Sequence, residues 1–256
     1  MIHPTAIIDA GAQLAAGVEV GPYSVIGPDV TVGENTKIDA QVIITGPTSI
    51  GGHNHIFSQA SIGAAPQDKK YNGEPTRLEI GDHNTIREFC TINRGTAQDR
   101  GVTTIGNHNW IMAYVHIAHD VIVGDHTILA NNATLAGHVE VGDYAILGGF
   151  TKAHQFCRIG AHSFCAMDTG LSKDLPPYVV AAGHLAEPKG INSEGLSRRD
   201  YTAAQIRNIK SAYKTIYRSG LKLSEAVAAL EKQREEAPEL EILIRFLATT
   251  ERSIIR

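Results

Sequence analysis

An aliphatic residue at every sixth position constrains this chain more than any other feature. Ile2, Ile8, Leu14, Val20, Ile26, Val32, Ile38, Ile44, Ile50, Ile56 and Ile62 keep the beat without a miss. It resumes at Ile80, Ile86 and Ile92, then runs from Ile105 through Ile111, Ile117, Val123, Leu129, Leu135, Val141, Leu147, Ala153, Ile159 and Cys165 to Leu171. A period of six fits neither the helical 3.6 nor the two of a long strand. It fits a short strand followed by a turn. The fifth residue of each unit is small or β-branched (Ala6, Ala12, Val18, Ser24, Val30, Thr36, Val42), so two side chains per unit point inward. The second is often glycine, as at Gly21, Gly27, Gly33 and Gly124, where it is expected to relieve a turn at positive φ. Three units make a triangular coil of eighteen residues, and stacked coils pair as a parallel sheet about 4.8 Å apart. Hexapeptide repeats are a signature of parallel β-helices. The expected architecture is mainly β: a β-helix over 1–190 and a small helical domain over 191–256.

Two interruptions break the beat. Ile62 to Ile80 is eighteen residues, one coil's worth, but Asp68–Thr76 reads D-K-K-Y-N-G-E-P-T, polar and turn-rich. Ile92 to Ile105 is thirteen, seven more than one unit. Both predict loops thrown out from a corner, over 68–78 and 94–104. Loops on a rigid scaffold often carry binding groups.

Composition narrows the function. A formal net charge of −4 argues against a nucleic-acid binder, which would show a basic stripe. Three cysteines in a chain of 256 residues do not make a disulfide framework and fit a reducing compartment. Cys90 and Cys157 fall in the small inward slot and Cys165 in the aliphatic one, so packing is their expected role. No apolar run approaches the ~20 residues of a membrane helix, and Met1–Ile8 lacks a secretory apolar region. The expectation is a cytoplasmic protein without membrane insertion.

The densest ionisable group in the repeats is His116, His119 and Asp120. A coil of eighteen puts residue n beside n+18, so His119 stacks next to Gly137 and Gly137 next to Gln155, with His138 and His154 flanking. These five should share one face within about 10 Å. A histidine beside a carboxylate suits general-base work near neutral pH. A neighbouring glycine can offer its N–H to a developing oxyanion. No serine or cysteine in the column looks like a nucleophile, which favours direct attack by a substrate hydroxyl. Two alternatives stand beside this: polar residues covered by oligomer packing, and a zinc site built from the histidines. A second column is Ala113, Asn131, Gly149, Met167, slim residues that end in a thioether. A chain-like ligand lying along it would stop at Met167.

The motifs I-A-H-D at Ile117–Asp120, N-N-A-T-L-A-G-H at Asn131–His138, H-Q-F at His154–Phe156, D-x-K-Y-x-G-E-P-T at Asp68–Thr76 and G-I-N-S-E-G-L-S-R-R at Gly190–Arg199 together resemble the UDP-N-acetylglucosamine O-acyltransferase family of the hexapeptide-repeat superfamily, over essentially the whole chain. The resemblance implies a left-handed helix, although parallel crossovers are right-handed in about 98% of cases. It implies transfer of an (R)-3-hydroxyacyl group from acyl carrier protein to the 3-hydroxyl of UDP-N-acetylglucosamine, the first step of lipid A synthesis. It implies His119 as general base, Asp120 as its orienting partner and Gly137 as oxyanion donor. Asp68, Lys70, His116, His138, His154 and Gln155 would line the substrate site. Asn192, Glu194 and Arg198 would reach the nucleotide-sugar or the carrier's phosphopantetheine. A homotrimer with sites between subunits is implied, with no metal and no cofactor beyond that phosphopantetheine. Asn93, His184 and Leu185 depart from the family pattern and receive no role. Met167 stands where longer-chain members have glycine, implying an acyl chain near ten carbons. A sugar-amine N-acyltransferase on the same scaffold and a zinc lyase of carbonic-anhydrase type are the rival activities.

After Leu171, K-D-L-P-P-Y is expected to end the rhythm, because proline supplies no ladder donor. From about Asp200 the pattern turns helical, with Ile206, Ile209, Tyr213 and Ile216 in one stripe. Ser219-Gly220 reads as a stop, Ser224 as a second start, and Pro238 opens a third helix through Leu247. More than half of the lysines and arginines follow Lys189. Arg199, Lys210, Lys214 and Arg218 are therefore expected to dock an acidic partner, as acyl carrier protein is.

Overall fold

The computed structural model describes every residue from Met1 to Arg256. Short strands wind into a left-handed parallel β-helix of three walls. The first wall stacks nine strands from Ile7–Ile8 to Gly170–Leu171. The second stacks eight from Gln13–Leu14 to Arg158–Ile159. The third stacks ten from Glu19–Val20 to Glu187–Ile191. Register follows the beat: Ile8 pairs with Ile26, Ile26 with Ile44 and Ile44 with Ile62, then Ile117 with Leu135, Ala153 and Leu171 in turn. The aliphatic and fifth-position side chains fill the axis, and Ile26, Val30, Val42, Ile62, Cys90, Ile117 and Cys165 are fully buried. Burial pushes the Cys90 and Cys165 thiols up to about 12 and Cys157 to about 11, which keeps them as uncharged filler. Three interior asparagines and Thr127 are joined in a ladder. Asn54 Oδ1 accepts from the Asn84 N–H, Asn84 Oδ1 from Asn109 N–H, and Asn109 Oδ1 from Thr127 N–H, at 2.7–2.9 Å.

The glycines act differently from the expectation. Gly21, Gly33 and Gly124 do not take positive φ. A Cβ on Gly33 would stand 2.4 Å from the Gly51 carbonyl carbon, so glycine is needed because the next coil lies on top of it. The positive φ falls two residues later, on side chains such as Tyr23, His53, His126 and His138 at 56° to 64°. Their rings stack coil upon coil. At the corner between the second and third walls, His53, His83, His108, His126 and Tyr144 follow one another at 4.8 Å between centroids, and His162 and Tyr178 continue the column.

Both interruptions are loops, as expected. Ile62 pairs with Ile92, thirty residues on, so the first adds twelve residues to one wall. Ile92 pairs with Ile117, twenty-five on, which matches the seven extra residues expected. Strands resume at Arg77 and Val102, so the loops close at 76 and 101, short of 78 and 104. The rhythm also outlasts Leu171. Leu175 bridges Ile159, and Ala181 pairs with Cys165 in a turn shortened to sixteen residues. The last strand pairs antiparallel and runs to Ile191, across the expected boundary.

Four helices follow: α1 Ser193–Ser197, α2 Ala203–Arg218, α3 Leu223–Glu231 and α4 Glu241–Ala248. The short α1 was not expected. Thr202 and Gln205 form a capping box on α2, and Ile209, Ile216, Leu230, Leu243 and Phe246 build a second core. That core is tied to the prism by Tyr178, whose hydroxyl donates to the Glu239 carbonyl at 2.6 Å. Among the α-helices none is long and apolar enough to cross a membrane.

His162 sits at this junction, nine-tenths buried. Burial first, and the Arg199 charge second, push its imidazole down to about 4 against a pull from Asp143. An unfolded histidine titrates near 6.5, so the unfolded chain takes up this proton first as pH falls. The contribution is complete above about 6.5 and is lost down to about 4, on the order of 3 kcal/mol. His162→Phe keeps a ring between Tyr144 and Tyr178 and should flatten the fall of thermal midpoint across this window. Parallel curves for the two proteins would contradict it.

Candidate active site

His119 is at the corner between the first and second walls. It follows the strand His116–Ile117 and precedes Ile122–Val123. Its Nδ1 lies 2.9 Å from Asp120 Oδ2. The Asp120 carboxylate has no exposed side-chain surface and accepts from both the Thr96 hydroxyl (2.6 Å) and the Thr96 N–H (3.0 Å). Burial alone would raise the Asp120 carboxyl, but hydrogen bonds from His119 and Thr96 outweigh it and hold the group below the usual carboxylate range. Asp120 is therefore ionised at neutral pH and fixes the His119 tautomer with Nδ1–H toward it, leaving Nε2 as the basic atom.

The eighteen-residue rule holds here. A Cβ on Gly137 would meet His119 Cε1 at 2.6 Å and Nε2 at 2.7 Å, so the imidazole occupies the space a side chain at 137 would need. Third-position N–H groups point out of the coil. At the neighbouring corner Asp125 and Asp143 accept them from the coil before. The Gly137 N–H has no such acceptor and no other protein partner, and it remains free beside His119. His138 is edge-on to His119 at 5.0 Å and stacks on Phe156 at 4.3 Å. Its Nδ1 lies 2.6 Å from Asp99 Oδ2. His116 Nδ1 pairs with the Thr91 hydroxyl at 2.7 Å, and burial, then the charge of His119, pushes its imidazole down. Gln155 is the next step of the column. Its carbonyl accepts from Arg252 of the C-terminal tail and lies 3.1 Å from His154 Nδ1.

A cleft of about 880 Å³ opens beside the dyad and takes in Asp68, Lys70, Thr96, Asp99, His138 and Phe156. It joins the two protruding loops to Asp120 and His138. Thr96, Asp99 and Thr91 escaped sequence reasoning because the loops shift the stacking offset. Thr91 stands twenty-five residues from His116, and Thr96 twenty-four from Asp120. The thirteen-residue gap between Ile92 and Ile105 contained that offset for Thr91.

Other expected site residues lie elsewhere on the chain. Asn192 caps α1 through Gly195 and donates to the His162 carbonyl, so its amide is already used at the corner between the second and third walls. Glu194 and Arg198 form an exposed pair on that helix and its C-cap. Arg199, expected to dock the acidic partner, is half-buried, lies over the Tyr144 ring and donates to the Tyr144 carbonyl. Lys210, Lys214 and Arg218 are exposed on α2 and share one face with Arg207, none of them in an ion pair. Ala113, Asn131, Gly149 and Met167 do form a column. It lies at the corner between the third and first walls, across the first wall from His119, and Met167 is 75% exposed.

His119, Asp120 and His138 bring potential ligand atoms within 4.8 Å of one another. The geometry fits a metal poorly in one respect. The Asp120 carboxylate already serves Thr96 and His119, and a cation would have to displace those donors.

The coil rhythm is that of the bacterial hexapeptide transferases, whose six-repeat family model matches residues 103–137, and a model described as UDP N-acetylglucosamine O-acyltransferase, domain 2, matches 174–255. Over its whole length the chain is 59% identical to the acyl-[acyl-carrier-protein]–UDP-N-acetylglucosamine O-acyltransferase of Herminiimonas arsenicoxydans, covering 100% of this chain and 99% of that protein. The chain belongs to this O-acyltransferase family. Among solved structures, the UDP-N-acetylglucosamine O-acyltransferase of Moraxella catarrhalis superposes with a TM-score of 0.98 at 47% identity, covering 100% of this chain and 99% of that one. The Francisella novicida enzyme superposes with a TM-score of 0.98 at 42% identity, over 100% and 94%.

The contact between Gly137 and His119 gives a direct check. Gly137→Ala should lower kcat/KM at least tenfold by displacing the imidazole, since misplacement of about 1 Å can cost roughly a hundredfold. The folded state should persist, because the clash is with a side chain at the surface of the coil. Wild-type turnover in this variant would remove His119 from the chemistry.

Proposed function

We propose that the chain transfers an (R)-3-hydroxyacyl group from the phosphopantetheine thioester of acyl carrier protein to the 3-hydroxyl of UDP-N-acetylglucosamine, the step that opens lipid A synthesis. The observation that carries this reading is a basic His119 Nε2 beside a free Gly137 N–H, on a chain of this family. His119 Nε2 takes the proton from the sugar hydroxyl as its oxygen attacks the thioester carbonyl carbon. The carbonyl oxygen becomes an oxyanion and accepts from the Gly137 N–H. Collapse breaks the carbon–sulfur bond, and the departing thiolate takes the proton from the His119 imidazolium. Asp120 stays ionised throughout and stabilises that imidazolium. No step needs a metal or a second cofactor.

The reading includes a homotrimer. Phe89 and Tyr114 stack at 4.8 Å on the exposed corner between the third and first walls, with Trp110 exposed nearby and Tyr23 and Phe150 exposed on other coils of the same corner. A patch of this kind marks an interaction site. The chain also separates His119, the Met167 column and the Asn192–Arg198 group onto three different corners. A second copy whose corner between the third and first walls faces His119 would bring its Met167 to the substrate. A cytoplasmic location fits three unpaired, buried thiols.

Transfer from 3-hydroxyacyl carriers of several chain lengths to UDP-N-acetylglucosamine tests the activity. His119→Ala should reduce it roughly a hundred- to ten-thousand-fold. Met167→Gly should move the preferred acyl chain from about ten carbons to longer ones. An unchanged preference would end the reading of Met167 as a ruler.

The free cations on α2 point to the acidic acyl carrier. Glutamate at both Lys210 and Lys214 should raise KM for the acyl carrier and leave that for the nucleotide-sugar within twofold. Equal rises in both would locate the effect in folding.

A further inference from the structure

Loop 94–101 reaches the Asp120 carboxylate and the His138 imidazole. Its base is rigid. Arg94 Nη1 donates to the Gly46 and Gly63 carbonyls, and Arg94 Nη2 to the Tyr71 hydroxyl. The loop folds back on itself through the Gly101 N–H to the Thr96 carbonyl at 3.0 Å. A Cβ at Gly95 would stand 2.2 Å from the Val102 nitrogen, so its two limbs close tightly. From this base Thr96 caps the Asp120 carboxylate, and Asp99 Oδ2 comes to 2.6 Å from His138 Nδ1.

We propose that the loop is a two-point clamp on Asp120 and His138, in which Asp99 is a positioning residue that makes His138 the centre of a second histidine–carboxylate dyad. Phe156 fixes the plane of the His138 ring by stacking at 6°. Within that plane a flip about Cβ–Cγ remains, and it would exchange the nitrogen and carbon edges. Asp99 decides it by holding Nδ1–H. The other ring nitrogen, Nε2, then carries no protein hydrogen bond, and the ring borders the cleft that holds Asp68 and Lys70. A neutral imidazole held this way offers a lone pair at Nε2, matched to a sugar hydroxyl. His119 and His138 thus divide the work: the first accepts the proton that moves, and the second orients the acceptor sugar. Which nitrogen of a histidine faces its ligand is set by the hydrogen bond made at the other. Asp99 side-chain exposure is 39% against 15% for His138, so the carboxylate covers the histidine from the solvent side.

The inference rests on the acyltransferase reading for its kinetic arm and is independent of it for its spectroscopic arm. Asp99→Ala should raise KM for UDP-N-acetylglucosamine about tenfold, the scale of one charge-assisted hydrogen bond, with kcat within threefold. Asp99→Asn keeps an acceptor oxygen for Nδ1–H and should restore KM to within threefold of wild type. In 15N-histidine NMR of the unliganded protein, His138 should carry its proton on Nδ1 in the wild type and in Asp99→Asn, and shift toward the Nε2–H form in Asp99→Ala. An unchanged tautomer in Asp99→Ala overturns the proposal. So does a loss shared equally by both variants together with a lowered thermal midpoint, which marks a loop anchor alone. A wild-type protein that performs no transfer, with the NMR result as expected, overturns the acyltransferase reading and leaves the clamp standing.

Discussion

Everything in this molecule depends on one coil lying flat on the next. The parallel ladders hold the coils one strand spacing apart, and no second layer exists to absorb an error. That spacing explains glycines such as Gly21, Gly33 and Gly142, which stand where a side chain would enter the neighbouring coil's backbone. It also explains the stacked rings at the corners, since a side chain repeated at the same place in successive coils must meet its copy. The interior asparagine ladder obeys the same rule, with each side-chain oxygen taking the N–H of the coil that follows.

The site uses this regularity and then departs from it. His119 occupies the room left by Gly137, and the free N–H of that glycine is an ordinary corner amide without a carboxylate above it. Regular stacking alone would leave His119 and Asp120 as a half-exposed pair on a coil surface. The added residues of the second loop change that. They bury the Asp120 carboxylate under Thr96 and give His138 its own carboxylate partner. A scaffold of fixed spacing supplies precision, and the irregular insertion supplies the polar partners that the repeat has no slot for.

The C-terminal helices serve as both lid and platform. Tyr178 and Arg199 join them to the corner of stacked rings, and Arg252 returns the tail to Gln155. The basic face of α2 remains outside these contacts. One stretch of chain therefore seals the end of the prism and presents a charged surface beyond it.

Periodicity alone determined the prism, its eighteen-residue register, the inward slots, the buried cysteines and the neighbourhood of His119, Gly137 and Gln155, because a repeat turns sequence distance directly into spatial distance. The same logic misread the glycines, since a sequence shows that a position is small but not whether the turn or the neighbouring coil requires it. It ended the six-residue rhythm at Leu171, although Leu175 and Ala181 continue the stack after a shortened turn. Tertiary structure alone decided where the insertions lead and what they touch. The Thr96–Asp120 and Asp99–His138 contacts cross offsets of twenty-four and thirty-nine residues. It also decided that Arg199 packs on Tyr144 and that the Met167 column lies across a wall from the base. A side chain's partner at a loop or a domain junction is set by where separate pieces of chain meet, and no local pattern encodes that meeting.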